Sequence, residues 1–277
     1  ADGSSRFSPE NKWSYFPSGS VAWRFSKESF MDKIAFVKDA KLRLSYGITG
    51  NNRVSDYAYL STMGTFPTLA YPFGGVLNPT IIPDDLGNKN LKWETTGQTD
   101  LGLDLNLFDD RLNFTFDAYR KVTSNLLLYA QLPPSSGFSS AYKNVGKVEN
   151  KGLEFTVSGK IIDRKDFSFS SSFNISFNRN KVLALNDDQE ALLSLINWDN
   201  QWRSLAPYIA KVGQPLGLFY GVIWDGNYQY SDFDVSGSGV YTIKPTVTSN
   251  TSVYDPTIQP GHIKYRDLNG DRVINDD

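Results

Sequence analysis

The 277-residue sequence contains no cysteine, which excludes a disulfide scaffold, a thiolate-ligated zinc site and a thiol nucleophile. It has one histidine, His262, so any Ser-His-Asp triad has a single residue to draw on, and a two-histidine metal site cannot be built within the chain. Charge of one sign is also lacking. With 28 Lys and Arg against 30 Asp and Glu, the formal net charge is −2, which leaves no electrostatic footprint for nucleic acid. No apolar run approaches the roughly 20 residues of a membrane-spanning helix. Gly (22) and Pro (13) are too few for collagen-like or low-complexity chains. The opening residues Ala1 to Arg6 have neither the basic start nor the apolar stretch of a signal peptide. Together with the stop at Asp277, they read as a chain that begins and ends inside a longer protein.

What the sequence has is aromatic residues (18 Phe, 15 Tyr and 6 Trp) and alternation with period two. Leu101, Leu103, Leu105 and Leu107 alternate with Gly102, Asp104 and Asn106. Leu112, Phe114, Phe116 and Ala118 alternate with Asn113, Thr115, Asp117 and Tyr119. Leu153, Phe155, Val157 and Ile161 stand against Glu154, Thr156, Ser158 and Lys160. Phe167, Phe169, Phe173, Ile175 and Phe177 stand against Ser168, Ser170, Ser172, Asn174 and Ser176. With earlier runs around Val21-Trp23-Phe25 and Leu42 to Ile48, six strands are predicted at about 19–25, 41–49, 96–108, 111–128, 148–161 and 166–178. Tight turns are expected at Asp109-Asp110 and Asp163 to Asp166, and a short helix at the turn end within 26–40. The other connections, about 50–94, 129–147 and 179–277, are long and rich in Gly, Pro, Asn, Asp and Ser.

Any one of these strands could be half of a soluble β-sandwich. Three features together favour an antiparallel transmembrane β-barrel. One face is crowded with Phe and Leu, aromatics stand near strand ends (Trp23, Tyr46, Trp93, Tyr119, Tyr129), and short and long connections alternate. Six strands cannot close such a barrel, and open edges in lipid would leave unsatisfied backbone groups. The all-β fold expected is therefore a segment of a larger barrel with long extracellular loops.

Five motifs resemble the SusC/RagA family of TonB-dependent outer-membrane transporters. They are Asp2-Gly3-Ser4-Ser5-Arg6-Phe7 followed by Phe16-Pro17-Ser18 and Trp23; Leu42-Arg43-Leu44-Ser45-Tyr46-Gly47-Ile48-Thr49-Gly50-Asn51; Asn90-Leu91-Lys92-Trp93-Glu94-Thr95-Thr96; Asn144-Val145-Gly146-Lys147-Val148-Glu149-Asn150-Lys151-Gly152-Leu153-Glu154; and Pro260-Gly261-His262-Ile263-Lys264-Tyr265-Arg266-Asp267-Leu268-Asn269-Gly270-Asp271. They occur in family order from residue 2 to residue 271. The resemblance implies about six strands of a 22-stranded, plugged barrel in the outer membrane of a Gram-negative bacterium. It implies import of oligosaccharides or peptides with a SusD-like surface lipoprotein, energised through TonB. On this reading the apolar faces meet lipid, and Thr115, Asp117, Thr156, Ser168, Ser170 and Asn174 line the lumen or touch the plug. The work is transport, not bond chemistry. The rivals are a soluble carbohydrate-binding β-sandwich and a secreted glycoside hydrolase.

Two sets of site residues stand out. Asp267, Asn269, Asp271, Val273 and Asn275 place oxygens at positions 1, 3, 5, 7 and 9 of an EF-hand-like loop, the pattern that wraps Ca²⁺. Arg272 stands where such loops carry Gly, and position 12 falls one residue past Asp277. The alternative is an Asp/Asn-rich turn without metal. The second set lies in the aromatic-rich last connection. Trp198-Asp199-Asn200 and Trp224-Asp225-Gly226 each put a ring beside polar groups, which suits a sugar or peptide ligand, while the other rings there would pack a small core of their own. The pairs Asp84-Asp85, Asp109-Asp110 and Asp187-Asp188 are read as solvated turns, and His262 as a loop residue.

Overall fold

The computed structural model describes residues 1–138, 140–185, 189–194, 207–250 and 257–274. Six long strands form one sheet: β1 (Ser18–Trp23), β2 (Val37–Asn51), β3 (Glu94–Leu107), β4 (Leu112–Ser124), β5 (Lys147–Arg164) and β6 (Phe167–Ala184). Each pairs antiparallel with its neighbour in sequence, in the order β6-β5-β4-β3-β2-β1. This up-and-down order follows from the turns. Phe108, Asp109 and Asp110 adopt left-handed backbone in succession, with φ of 54°, 53° and 64°, and reverse the chain within four residues. Residues 24–36 hold two short 3₁₀ turns, Phe25–Lys27 and Ser29–Met31, where a short helix is expected from sequence. All three short connections lie at one end of the sheet, and the long ones lie at the other.

The strands overrun several of their predicted bounds. β2 starts at Val37 rather than 41, and β6 runs on to Ala184 rather than stopping at 178. β4 ends at Ser124, and Leu127–Gln131 forms a separate hairpin with Ser140–Asn144. A second hairpin, Thr62–Phe73 with Val76–Asp85, lies within what reads from sequence as loop. Of the stretch expected from sequence as one long loop from 179, the described residues 193–194, 207–209, 218–250 and 257–274 belong to a compact unit of their own, and residues 210–217 belong with the sheet. There the N–H of Val182 donates to the carbonyl of Gln214 and the N–H of Gly213 to that of Val182, covering the loop end of the edge strand β6.

Period two gives the sheet two unlike faces. Across the strands Leu42, Leu103, Phe116, Phe155 and Ile175 lie in one register row, and Leu44, Leu101, Ala118, Leu153 and Phe177 in the next. These apolar side chains stay open: Phe173 is 63% exposed and Leu44 47%. A sandwich would need a second sheet over this face, and the openness of the face corrects that rival. Exposed aromatics gather at the turn end, with Trp23 beside Phe25 and Phe30 and Phe36 stacked on Phe108. Two of the five rings expected near the membrane interface lie elsewhere. Trp93 is 8% exposed, and Tyr119 is on the polar face.

The buried core of the sheet unit sits at its loop end. Phe7, Val54, Leu91 and Trp93 pack together with Phe16, Leu127 and Tyr142 around them. The Trp93 indole N–H donates to the Lys12 carbonyl at 3.1 Å. Asn144 binds the backbone of Lys92 in both directions, at 2.8 and 2.7 Å. Glu94 accepts from Asn51 and from the N–H of Leu127. Four of the sequence motifs thus meet in one junction that ties the long connections down. The second unit has its own small core of Tyr228, Phe233 and Ile258, with Tyr241, Ile243 and Val247 against it.

Candidate functional site

The polar face of the sheet carries a charge network that its register explains. Arg43, Gly102, Asp117, Glu154 and Ser176 lie in one row across five strands. The Arg43 guanidinium donates to both oxygens of Asp104, at 2.9 and 3.1 Å, and to Asp117 at 2.8 Å. Lys41 adds a second cation 2.9 Å from Asp104. A Cβ at Gly102 would stand 2.5 Å from the Arg43 guanidinium and 2.5 Å from the Asp117 carboxylate, so the missing side chain is what opens the crossing. One row toward the loop end the Tyr119 ring lies over Gly152, and its hydroxyl donates to Asn178 at 3.1 Å. The face is a wall of paired charges and polar groups, fit to be wet on one side while the other side meets an apolar medium. Thr115, Asp117, Thr156 and Asn174 fall on it as the alternation predicts. Ser168 and Ser170 face Asp163 and Lys160 near the turn.

Arg43, Lys41, Asp104 and Gly102 are not singled out by the sequence reading, in which basic residues look scattered. The usable signal is Gly102 itself, a glycine within a strand pattern and on its polar side.

In the second unit Trp224 is 65% exposed, and Asp225 accepts from Arg266 at 3.2 Å. Tyr228 has gone into the core (1% exposed), where its hydroxyl donates to the Thr248 carbonyl at 2.7 Å and lies 3.1 Å from the Asn250 Oδ1. Burial pushes its phenol above the ordinary range. Trp198, Asp199 and Asn200 lie outside the described residues, as does Asn275.

The loop expected to wrap Ca²⁺ closes on its own amides. Asp267 accepts the N–H groups of Gly270 and Arg272, both at 2.7 Å. Asn269 accepts from Asp271 and Asp271 from Val273. The Arg272 and Gly270 amides hold the Asp267 carboxyl below its usual range. Arg272 takes φ +68°, the conformation that glycine supplies in such loops. Among the described residues no three His, Cys, Asp or Glu side chains converge.

A family model described as TonB dependent receptor-like, beta-barrel matches residues 1–270. TonB-dependent receptor P3 of Formosa agariphila is 39% identical over 84% of the chain, and TonB-dependent receptor SusC of Bacteroides thetaiotaomicron is 35% identical over 79%. The chain covers 23% and 22% of those two proteins, less than a quarter of their length. Among solved structures it is similar to the RagAB peptide importer. It matches the closed-closed state with a TM-score of 0.70 at 24% identity, and the open-open state with 0.69 at 26%. Each match covers 87% of this chain, and 26% and 25% of the respective relative.

Proposed function

The chain belongs to the TonB-dependent receptor-like β-barrel family, and from that premise we propose that it is part of the barrel of a SusC-like transporter importing nutrient oligomers across the outer membrane of a Gram-negative bacterium. The observation that carries this is the two-faced sheet: an open apolar face backed by the Arg43–Asp104–Asp117 wall, in strands of 13 to 18 residues from β2 to β6. About 9 to 11 tilted residues suffice to cross a bilayer. On this reading the apolar face meets lipid and the charged wall faces the lumen and its plug. The long connections receive substrate and dock a SusD-like lipoprotein, and TonB supplies the drive.

For the substrate, oligosaccharides and peptides both remain in view. A solved relative is described as a peptide importer, and an exposed tryptophan beside a carboxylate, as at Trp224-Asp225, suits either class. The test uses the full-length parent in cells that lack their own copy. Labelled peptide and labelled oligosaccharide uptake are measured with and without TonB, and the purified parent is searched for a bound surface lipoprotein. TonB-dependent uptake of one class supports the proposal. Uptake indifferent to TonB, or a protein that stays soluble without detergent, overturns it.

For the loop from Asp267 to Val273 we infer a hard cation, Ca²⁺, held by Asp267, Asn269 and Asp271 with the Val273 carbonyl. The support is oxygen at alternate positions and the left-handed turn already made at Arg272.

A further inference from the structure

At the loop end of the apolar face the register brings basic side chains together. Thr99, Arg120, Lys151 and Arg179 follow one another on β3, β4, β5 and β6. They stand one step beyond the row of Leu101, Ala118, Leu153 and Phe177. Because Ala118 is small among larger neighbours, the two rows enclose a notch of about 480 Å³, open to the outside. Arg120 donates to Glu149 at 2.6 Å. Lys151 and Arg179 are exposed, and among the described residues neither has a hydrogen-bond or ion-pair partner.

The height of this row matters. From Phe167 to Phe177 the apolar side of β6 covers ten steps, about 33 Å along the strand and about 25 Å of membrane depth at a tilt of about 40°. That is the height of a barrel's apolar band. Arg179 and Lys151 therefore stand at the headgroup level of the leaflet on the loop side, facing outward. Long basic side chains at such a boundary keep their stems on apolar surface and their charges at the polar level. An apolar notch topped by two exposed cations is complementary to one kind of molecule: an acyl chain ending in an anionic phosphate.

We propose that this corner of the sheet holds one phosphorylated, acylated lipid of the outer leaflet, its phosphate on Lys151 and Arg179 and an acyl chain in the notch over Ala118. The proposal rests on the barrel reading above. It adds a specific lipid seat on β4 to β6, where a generic apolar face would carry only exchangeable lipid.

The test is native mass spectrometry of the full-length parent in detergent. The probes are bisphosphorylated lipid A, the same lipid dephosphorylated, and inorganic phosphate. Wild type should retain about one phosphorylated lipid per protein. The double variant Lys151→Gln/Arg179→Gln should lose it about tenfold, and Ala118→Phe should lose it comparably by filling the notch. Lys165→Gln, in the β5–β6 turn at the far end, should leave binding unchanged. Equal retention of the dephosphorylated lipid, or of the phosphorylated lipid by the double variant, overturns the proposal. Full competition by inorganic phosphate overturns it too, because the acyl chain would then be irrelevant. Failure of the barrel reading is seen separately, as a parent that needs no detergent and shows no heat-dependent shift in gel mobility. A folded, detergent-requiring parent without the lipid sinks the lipid seat alone.

Discussion

Arg43 reaches Asp117 across an intervening strand, and it can do so because the residue between them is Gly102. The arginine thereby joins β2, β3 and β4 with one side chain, since Asp104 also accepts from it. Both partners are only partly exposed, so the bridge is worth more than a surface pair and less than a buried one, on the order of 1 kcal/mol. A double-mutant cycle with Arg43→Gln and Asp117→Asn, read by denaturant unfolding of the full-length parent, should return that coupling. Repeated in a Gly102→Ala background it should fall to near zero, because the new methyl group displaces the guanidinium. An unchanged coupling there would show that the glycine is irrelevant to the crossing.

The two faces can be tested by moving one residue along β6. Phe173 lies near the middle of the apolar face beside Val157, and Asn174 on the polar face beside Thr156. Phe173→Arg should destabilise the membrane-inserted parent by about 2–4 kcal/mol, while Asn174→Arg should change little. If the two behave alike in lipid-based unfolding, the assignment of lipid to the Phe173 side is wrong.

Tyr129 and Asp85 join the two hairpins of the long connections. The Tyr129 hydroxyl donates to the Asp85 carboxylate at 2.7 Å, and this bond, helped by partial burial, pushes the phenol up to about 12. The folded value is raised above the unfolded value of about 10. The contribution to stability is therefore full below about pH 10 and fades as pH rises toward 12. The difference in unfolding midpoint between wild type and Tyr129→Phe should follow that course. The difference between the wild-type and Tyr129→Phe titrations followed by absorbance at 295 nm should be one tyrosine titrating late. A variant that removes a tyrosine titrating near 10 would refute the bond.

The cation loop has a two-part test by amide hydrogen exchange at Gly270, Arg272 and Val273. Added Ca²⁺ should slow exchange and a chelator should restore it. Arg272→Gly should slow exchange even without Ca²⁺, since a left-handed backbone costs a non-glycine residue about 1 kcal/mol. Exchange indifferent to Ca²⁺ would leave an Asp/Asn turn held by its amides alone.

The six strands are readable in the sequence because each has one face against an apolar medium and one against a polar one, so hydrophobicity itself alternates. The hairpin at Thr62–Asp85 is not readable that way, because Pro67, Pro72, Pro79 and Pro83 interrupt its pattern. Trp93 looks like an interfacial ring until Phe7 and Phe16, about 80 residues earlier in the chain, are seen packing on it. The Arg43 network stays hidden for the same reason, since residues 43, 104 and 117 meet only through register. The EF-hand-like spacing does place Asp267, Asn269 and Asp271 in one closed loop, although each bonds there to a backbone amide.

At Ile161 the pairing of β5 with β6 slips: Lys160 stands opposite Ser170 and Ile162 opposite Phe169, so Ile161 has no partner. An inserted residue that no such bulge absorbed would turn every following side chain to the wrong side, carrying phenylalanines into the lumen and carboxylates into lipid. Changes in chain length are therefore confined to the connections, or must be absorbed as a bulge near a turn, as here. Length is thus free to vary in the connections, while the spanning strands change by substitution or by a bulge near a strand end.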